Sequence, residues 1–255
     1  MDAGTLNSAI LKRRSFRSFT DSPLGDDVIE GLVDFLSELE PPAGDIDWNF
    51  DTLPYVDMVR ICSREPWIKA PHYLVLRAER KLFSLQLCGY LGEMAALYLT
   101  ATGVGSCWLG NCPVDPAQDF PDTLPFVAAM AFGMSEEAFR SDGFFDRLPA
   151  NKTCFGQYAK YREIMDAARF APSSLNRQPC AFVADEKDCI HVYRKKVFMN
   201  NPVISYPQCL DAGAAMAHLE VSARANGYPA AALSRLSREP MFKRMIYQAT
   251  LTLNQ

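Results

Sequence analysis

The sequence predicts an α+β chain built from two similar halves, with antiparallel or mixed sheets flanked by helices. Three observations carry that prediction. Helical stripes of apolar residues are interspersed with short β-favouring runs, and one set of such elements is followed by a second set in the same order. The runs 82–105 and 206–233 are apolar on nearly every face, the pattern of a helix buried on all sides. Apolar residues make up 49% of the 255, ample for a continuous core. That length suits one large domain or two of roughly 125 residues.

In "TLNSAILKRR", Leu6, Ala9 and Ile10, with Ala3 before them, fall at helical intervals and then meet a basic cluster. A second helix is expected after "TDSPLGDD", where Asp26 or Asp27 can cap and Val28, Ile29, Leu32, Val33, Phe35 and Leu36 form the stripe. Pro41-Pro42 should stop it. Strand fragments are expected within 41–66, and "PHYLVLRAE", 71–79, reads as a buried strand. The helix in 82–105 should end at Gly103. In the second set, "YREIMDAARF" is a helix stopped by Pro172, "PCAFVAD" and "IHVYRKK" are strands, and a long helix follows from Tyr206.

Setting Gly227 on Gly103 puts Gly213 on Gly89, Ala225 on Ala101 and Val221 on Leu97. Setting Pro172 on Pro41 puts Ile164 on Val33 and Phe170 on Leu39. We therefore expect an N-terminal half, 1–155, and a C-terminal half, 156–255, joined as a covalent dimer. Their long helices, 85–102 and 208–226, should pack about a pseudo-twofold axis, in a monomer with that internal symmetry or in a further homo-oligomer.

A net charge of −4 and a pI near 5.5 exclude a general nucleic-acid binder, so any bound anion should be small and held locally. No run of 18 apolar residues suggests a membrane span, and "MDAGTLNSAI" lacks a signal design, so a cytoplasmic protein is expected. The eight cysteines, 62, 88, 107, 112, 154, 180, 189 and 209, include no C-x-x-C pair. They read as small buried positions in a reducing compartment, with no metal expected. His72, His191 and His218 are far apart and read as structural or surface residues. "YRKKVFM", 193–199, reads as a solvated basic run, and Trp67, Trp108 and Phe144-Phe145 as core plugs. The glycines of "GVGSCWLG" follow a helix, so they make no dinucleotide fingerprint.

Two short stretches carry chemistry. Arg13, Arg14, Ser15 and Arg17 place three guanidinium groups and a hydroxyl within five residues, suited to a phosphate or to a solvated basic turn. In "APSSLNRQP", 171–179, Pro172 stops a helix, Ser173 and Ser174 offer hydroxyls, and Asn176 offers an amide able to read the edge of a polar ring.

With these residues the sequence resembles the nitroreductase-like flavoprotein family. The family's R-[RH]-S-x-[RK]-x-F matches Arg13 to Phe19, and its A-P-S-x-x-N-x-Q-P matches Ala171 to Pro179. "ATGVGSCWLGN", 101–111, and "DRLP", 146–149, match its glycine turn and its late R-x-P segment. The resemblance implies a nitroreductase-like fold binding FMN. It implies Arg13, Arg14 and Arg147 at the phosphate, Ser15 at the phosphate or ribityl chain, and Arg17 near the pyrimidine edge. Pro172, Ser173, Ser174 and Asn176 would line the ring, with backbone groups of Leu109, Gly110 and Asn111 near N5.

In ordinary members two chains form two equivalent sites, each taking its basic motif from one chain and its P-S-x-x-N from the other. Here each half keeps one motif: Pro42 and Ala43 stand where Ser173 and Ser174 align, and "CFGQYAKYREI" has no R-R-S. One site across the seam is thus expected, with no side-chain acid or base needed, since the flavin carries the chemistry. The expected activity is NADH- or NADPH-dependent two-electron reduction of a small molecule, a nitro compound or quinone. The alternative is a flavin-binding protein with another role: sensor, store, or flavin-consuming or dehalogenating relative.

Overall fold

A computed structural model describes residues 1–42, 45–110, 112, 114–115, 120, 123–141, 145–197 and 201–254. Helix α1, Ala3–Lys12, starts on the side chain of Asp2, which accepts from Thr5 N, and buries Leu6, Ala9 and Ile10. Helix α2, Asp26–Ser37, buries Leu32, Phe35 and Leu36 of the expected stripe. Its N-cap is Gly25, with no side-chain cap bond; Asp26 and Asp27 lie instead in the first turn, where their charges face the positive helix end. The helix closes at Ser37, ahead of Pro41.

Strand β1, Trp48–Pro54, runs directly into α3, Tyr55–Ile61, a short helix that the sequence reading took as part of a strand-bearing stretch. Strand β2, His72–Ala78, is almost wholly buried, as its apolar run implied. Helix α4, Ser84–Ala101, β3, Gly105–Trp108, and β4, Phe126–Gly133, complete the first set. A turn of helix, α5, Ala150–Thr153, and β5, Cys154–Gly156, then lead to α6, Arg162–Arg169. Strands β6, Cys180–Ala184, and β7, Cys189–Lys195, precede helix α7, Pro202–Ala225, which carries Pro207 inside it. Strands β8, Ala232–Ser234, and β9, Met245–Thr252, close the chain.

The first sheet has the order β1-β2-β4-β3, antiparallel throughout. The second runs β6-β7-β9-β8, also antiparallel, with β5 added in parallel beside β6. In each set two strands precede the long helix and two follow it, so both sheets have the same topology. β5 sits across the expected boundary at 155 and belongs to the second sheet.

Helices α4 and α7 pack against each other with backbones close enough to demand glycine. A Cβ on Gly89 would lie 2.2 Å from Leu210 O, and one on Gly213 would lie 2.0 Å from Gln86 O. In the sequence register Gly213 matches Gly89 and Leu210 matches Gln86, so the two approaches are reciprocal, as a twofold relation requires. The ends agree too. Gly103 and Gly227 follow their helices at φ +82° and +94°, and Val104 N and Tyr228 N donate to Leu99 O and Ala223 O, a Schellman-type closure in both helices.

One hydrophobic core takes residues from both sets, among them Leu6 and Ile10 of α1, Leu91 and Leu97 of α4, Met165 of α6, and Met216 and Leu219 of α7. A smaller cluster fills the space between α3 and the first sheet. All eight cysteines are free; four are buried, while Cys62, Cys112, Cys180 and Cys189 are only partly so. Trp67, expected as a core plug, is 56% exposed. No described helix is long and apolar enough to cross a membrane.

Candidate functional site

Arginine 13 caps the end of α1 and is buried at 5% exposure. A buried guanidinium needs a counter-charge, and α4 supplies it. Glu93, fully buried, places Oε1 3.3 Å from Arg13 Nε. The same carboxylate accepts from Trp108 Nε1 at 3.0 Å and lies 2.9 Å from His218 Nε2, while His218 Nδ1 bonds Ala167 O at 2.9 Å. Burial pushes the Glu93 carboxyl up, but Arg13 and the bonds from His218 and Trp108 outweigh it and hold the group below its usual range. One network thus ties the end of α1 to α4, α7 and α6.

Beyond Arg13 the chain continues along β3: Ser15 bridges Ser106, and Phe16 N donates to Ser106 O. Arg14 departs from its expected role. Its Nη2 donates to Glu137 Oε2 and its Nη1 to Ala138 O, each at 2.9 Å, so the guanidinium is engaged by the chain itself. Glu137 Oε1 also accepts from the amides of Arg17 and Ser18, both at 3.2 Å. A carboxylate therefore occupies the anion-favouring turn that follows the basic motif. The Arg17 side chain is exposed and donates only to Ser15 O among the described residues.

Arg147 stands at the late turn. Its Nη2 donates to Phe170 O and Ala171 O, at 2.9 and 3.1 Å, and its Nη1 to Asn176 Oδ1 at 3.0 Å. Its Nε is buried with no partner. Burial, then the like charges of Arg13 and Arg140, pull this guanidinium down to about 10. Arg140 joins the group through a 3.5 Å bond from its Nε to Arg13 O, and its guanidinium lies 4.4 Å from the Phe145 ring centroid. Phe145 stacks on Phe170 at 4.1 Å. The early basic motif and the late serine–asparagine turn are thus brought to one place, linked through Arg140, Phe145 and Arg147.

The turn itself is tight. Leu175, Asn176 and Gln178 have φ of 52°, 53° and 48°, left-handed values that asparagine tolerates better than most residues. Ser173 Oγ accepts from Gln178 N at 2.9 Å, and Ser174 N donates to Asp211 Oδ1 on α7 at 2.8 Å. Asn176, expected to read the ring edge, turns Nδ2 to Asp146 O and Oδ2 at 3.1 Å, so both ends of its amide are paired within the protein. Pro172 is half-buried beside a cavity of about 20 Å³ bordered by Ser173, Gln178 and Asp211, room for one water.

On the first sheet's side, Leu109 is buried and its amide donates to Ala129 O at 2.9 Å, so that N–H is committed to the sheet and not to a ligand. Gly110 is exposed, with open space where a Cβ would stand. Asn111, Ala43 and Phe144 lie outside the described residues. Trp108 packs its ring over Gly92 while bonding Glu93, a structural position.

Sequence reasoning missed Arg140, Glu93, Glu137 and Asp211. Each acts through a tertiary contact, and no local pattern marks it. The spacing of Arg140 from Arg147 within "FRSDGFFDRLP" is the one signal that was present.

The family model described as "Putative TM nitroreductase" matches residues 5–223. The chain belongs to that family. Its fold matches the crystal structure of a putative nitroreductase from Thermotoga maritima at TM-score 0.69 and 20% identity, covering 100% of this chain and 95% of that one. Nitroreductase A of Vibrio parahaemolyticus aligns over 58% of this chain and 73% of its own, at TM-score 0.48 and 15% identity. An FMN-dependent nitroreductase of Clostridium difficile aligns over 56% of this chain and 94% of its own, at 0.42 and 16%. No curated protein matches the chain. The nitroreductase fold expected from the sequence is the fold found.

Proposed function

We propose that this nitroreductase-family chain is an FMN-binding oxidoreductase with one site, where the end of α1 meets the turn 172–178. The arginine cluster carries this reading. Arg13, Arg140 and Arg147 stand near enough for their charges to depress Arg147, and Arg147 Nε is buried without a partner. Glu93 and Asp146 offset part of this positive charge, and like charges gathered in a partly dry place favour a further anion beside them. A phosphate dianion with three acceptor oxygens has that charge and donor demand.

Arg13 and Arg147 would hold the phosphate, Arg140 adding to the field. Arg14 would act indirectly, fixing the segment through Glu137. Ser15 would face the phosphate or ribityl chain, and Arg17 the pyrimidine edge. Pro172, Ser173 and Ser174 would lie along the ring, and Asn176 would join them by exchanging its Asp146 and Arg147 bonds. Gly110, with no side chain in the way, would admit the ring's reactive edge, with Leu109 beside it.

FMN, when bound, supplies two-electron hydride chemistry. The chain's part is to orient it, to place positive charge where electrons accumulate, and to leave one face open for NADH or NADPH and then for a nitro compound or quinone.

The test is direct. Purified protein should be yellow, with one FMN per chain, and should bleach when NADH or NADPH is added without oxygen. Arg147→Ala should weaken FMN by about 10- to 100-fold, the loss of one charge-assisted contact. Riboflavin, which lacks the phosphate, should bind the variant and the parent alike. Equal losses for both flavins would refute the phosphate role. A bound flavin that neither nicotinamide reduces would refute the reductase, and a protein that ignores added FMN would refute the site.

A further inference from the structure

The twofold register relates the candidate site to a second location, and that location is not filled in. A cavity of about 470 Å³ opens there, within the range of small-molecule sites. In the register that sets Pro172 on Pro41, Leu39, Pro41 and Pro42 at its edge correspond to Phe170, Pro172 and Ser173. In the register that sets Gly213 on Gly89, Tyr90, Met94 and Leu233 correspond to Ala214, His218 and Leu109.

Its chemistry differs from that of the first site. Arg224 is the only guanidinium among the described residues that border it, and that charge is already met, with Nη2 2.5 Å from Glu220 Oε1. Tyr90 donates its hydroxyl to Glu220 Oε2 at 3.0 Å, closing a paired triad at the base. Burial pushes the Glu220 carboxyl up. Glu38 and Glu40, both exposed, border the mouth, and neither side chain takes part in a hydrogen bond or ion pair among the described residues. Even counting an amino group at Met1, carboxylates outnumber cations, so a phosphate is repelled. The remaining walls are apolar, with Leu6, Phe35 and Val221 among them.

We infer that this cavity binds a small organic cation with an apolar, ring-sized body. The body would displace water from the apolar walls, where transfer contributes most. The cationic group would lie toward Glu38 and Glu40. The inference does not depend on flavin binding at the first site.

The experiment uses the full-length protein, saturated with FMN, at low ionic strength. (2-Naphthylmethyl)trimethylammonium is titrated calorimetrically, with 2-naphthalenesulfonate as a control of the same ring and opposite charge. One ammonium per chain should bind with a sub-millimolar dissociation constant, and the sulfonate should bind at least tenfold more weakly. The double change Glu38→Gln with Glu40→Gln should weaken the ammonium about fivefold, since exposed carboxylates act weakly through water, and added salt should do likewise. Ala232→Trp, at an exposed edge-strand position on the cavity wall, should abolish binding with the far-ultraviolet circular dichroism unchanged. Absence of ammonium binding, equal binding of the sulfonate, or indifference to both variants would overturn the inference. A parallel titration without FMN separates the two readings, because failure of the flavin site leaves the ammonium result unchanged.

Discussion

Asp211 holds the Ser174 amide with one oxygen, while the other, Oδ2, is buried and has no partner. Burial pushes this carboxyl from 3.8 to about 7, against the smaller opposing effects of the Ser174 bond and Arg177. The folded chain therefore binds this proton more tightly than the unfolded chain. The stabilisation linked to it is complete below about pH 4 and is lost as pH rises through 7. Asp211→Asn keeps an acceptor for Ser174 and cannot ionise. It should be more stable than the parent at pH 8, by at most roughly 4 kcal/mol, and the gap should close near pH 4. Urea unfolding at the two values measures this, and an equal gap at both would remove the charge from the explanation. No sequence pattern announces such a residue. Asp211 is one of two acids in a helix of mostly apolar residues, and its role comes from a turn 37 residues earlier. Arg13 and Arg147 were legible because short motifs name them. Arg14 shows where a motif misleads, since its apparent freedom vanishes against Glu137, 123 residues away.

Helices α4 and α7 could be read from composition, because only a helix covered on every side tolerates apolar residues all round. Their glycines gave the register, and the structure gives the reason: each admits the other helix's backbone. Gly213→Ala should therefore cost about 2–3 kcal/mol by overpacking, measurable as a lowered denaturation midpoint, because the opposing atom is a carbonyl that cannot swing aside. An unchanged midpoint would mean that the helices separate freely. Glu93 makes a second case on the same helix. Glu93→Ala leaves the Arg13 charge buried and His218 and Trp108 without their acceptor, a loss of about 3–5 kcal/mol. Calorimetry should show it as a drop in Tm with or without flavin. Other elements were not legible. β4, "FVAAMAFG", is rich in alanine and buried along most of its length, so it shows no alternation. α3 is only seven residues long, and the cap of α2 comes from a glycine with no side chain to signal it.

At the scale of the molecule, the proposed flavin site draws all its residues from one chain. FMN affinity and stoichiometry should therefore stay constant on dilution of the protein, whereas a site completed by a second subunit would lose flavin as subunits part. Equilibrium dialysis over a hundredfold range of protein concentration distinguishes the two. The shared core has a related consequence: residues 1–155 alone would expose the faces of α1 and α4 that α7 covers, and should not unfold cooperatively. Two halves in one order could be inferred from the sequence, because helix ends and glycines recur at fixed offsets. The arginine cluster could not, because Arg140 reaches Arg13 only after the chain has turned back on itself.

Reciprocal glycines at the crossing of α4 and α7 leave the two sides geometrically alike and chemically free to differ. In an assembly of identical subunits, every substitution appears twice, and a change that harms one catalytic centre harms its twin. Tethering lifts that constraint. Tyr90 and Ala214, or Met94 and His218, fall at matching positions of the two helices with different chemistry, so a change on one flank need not be repeated on the other.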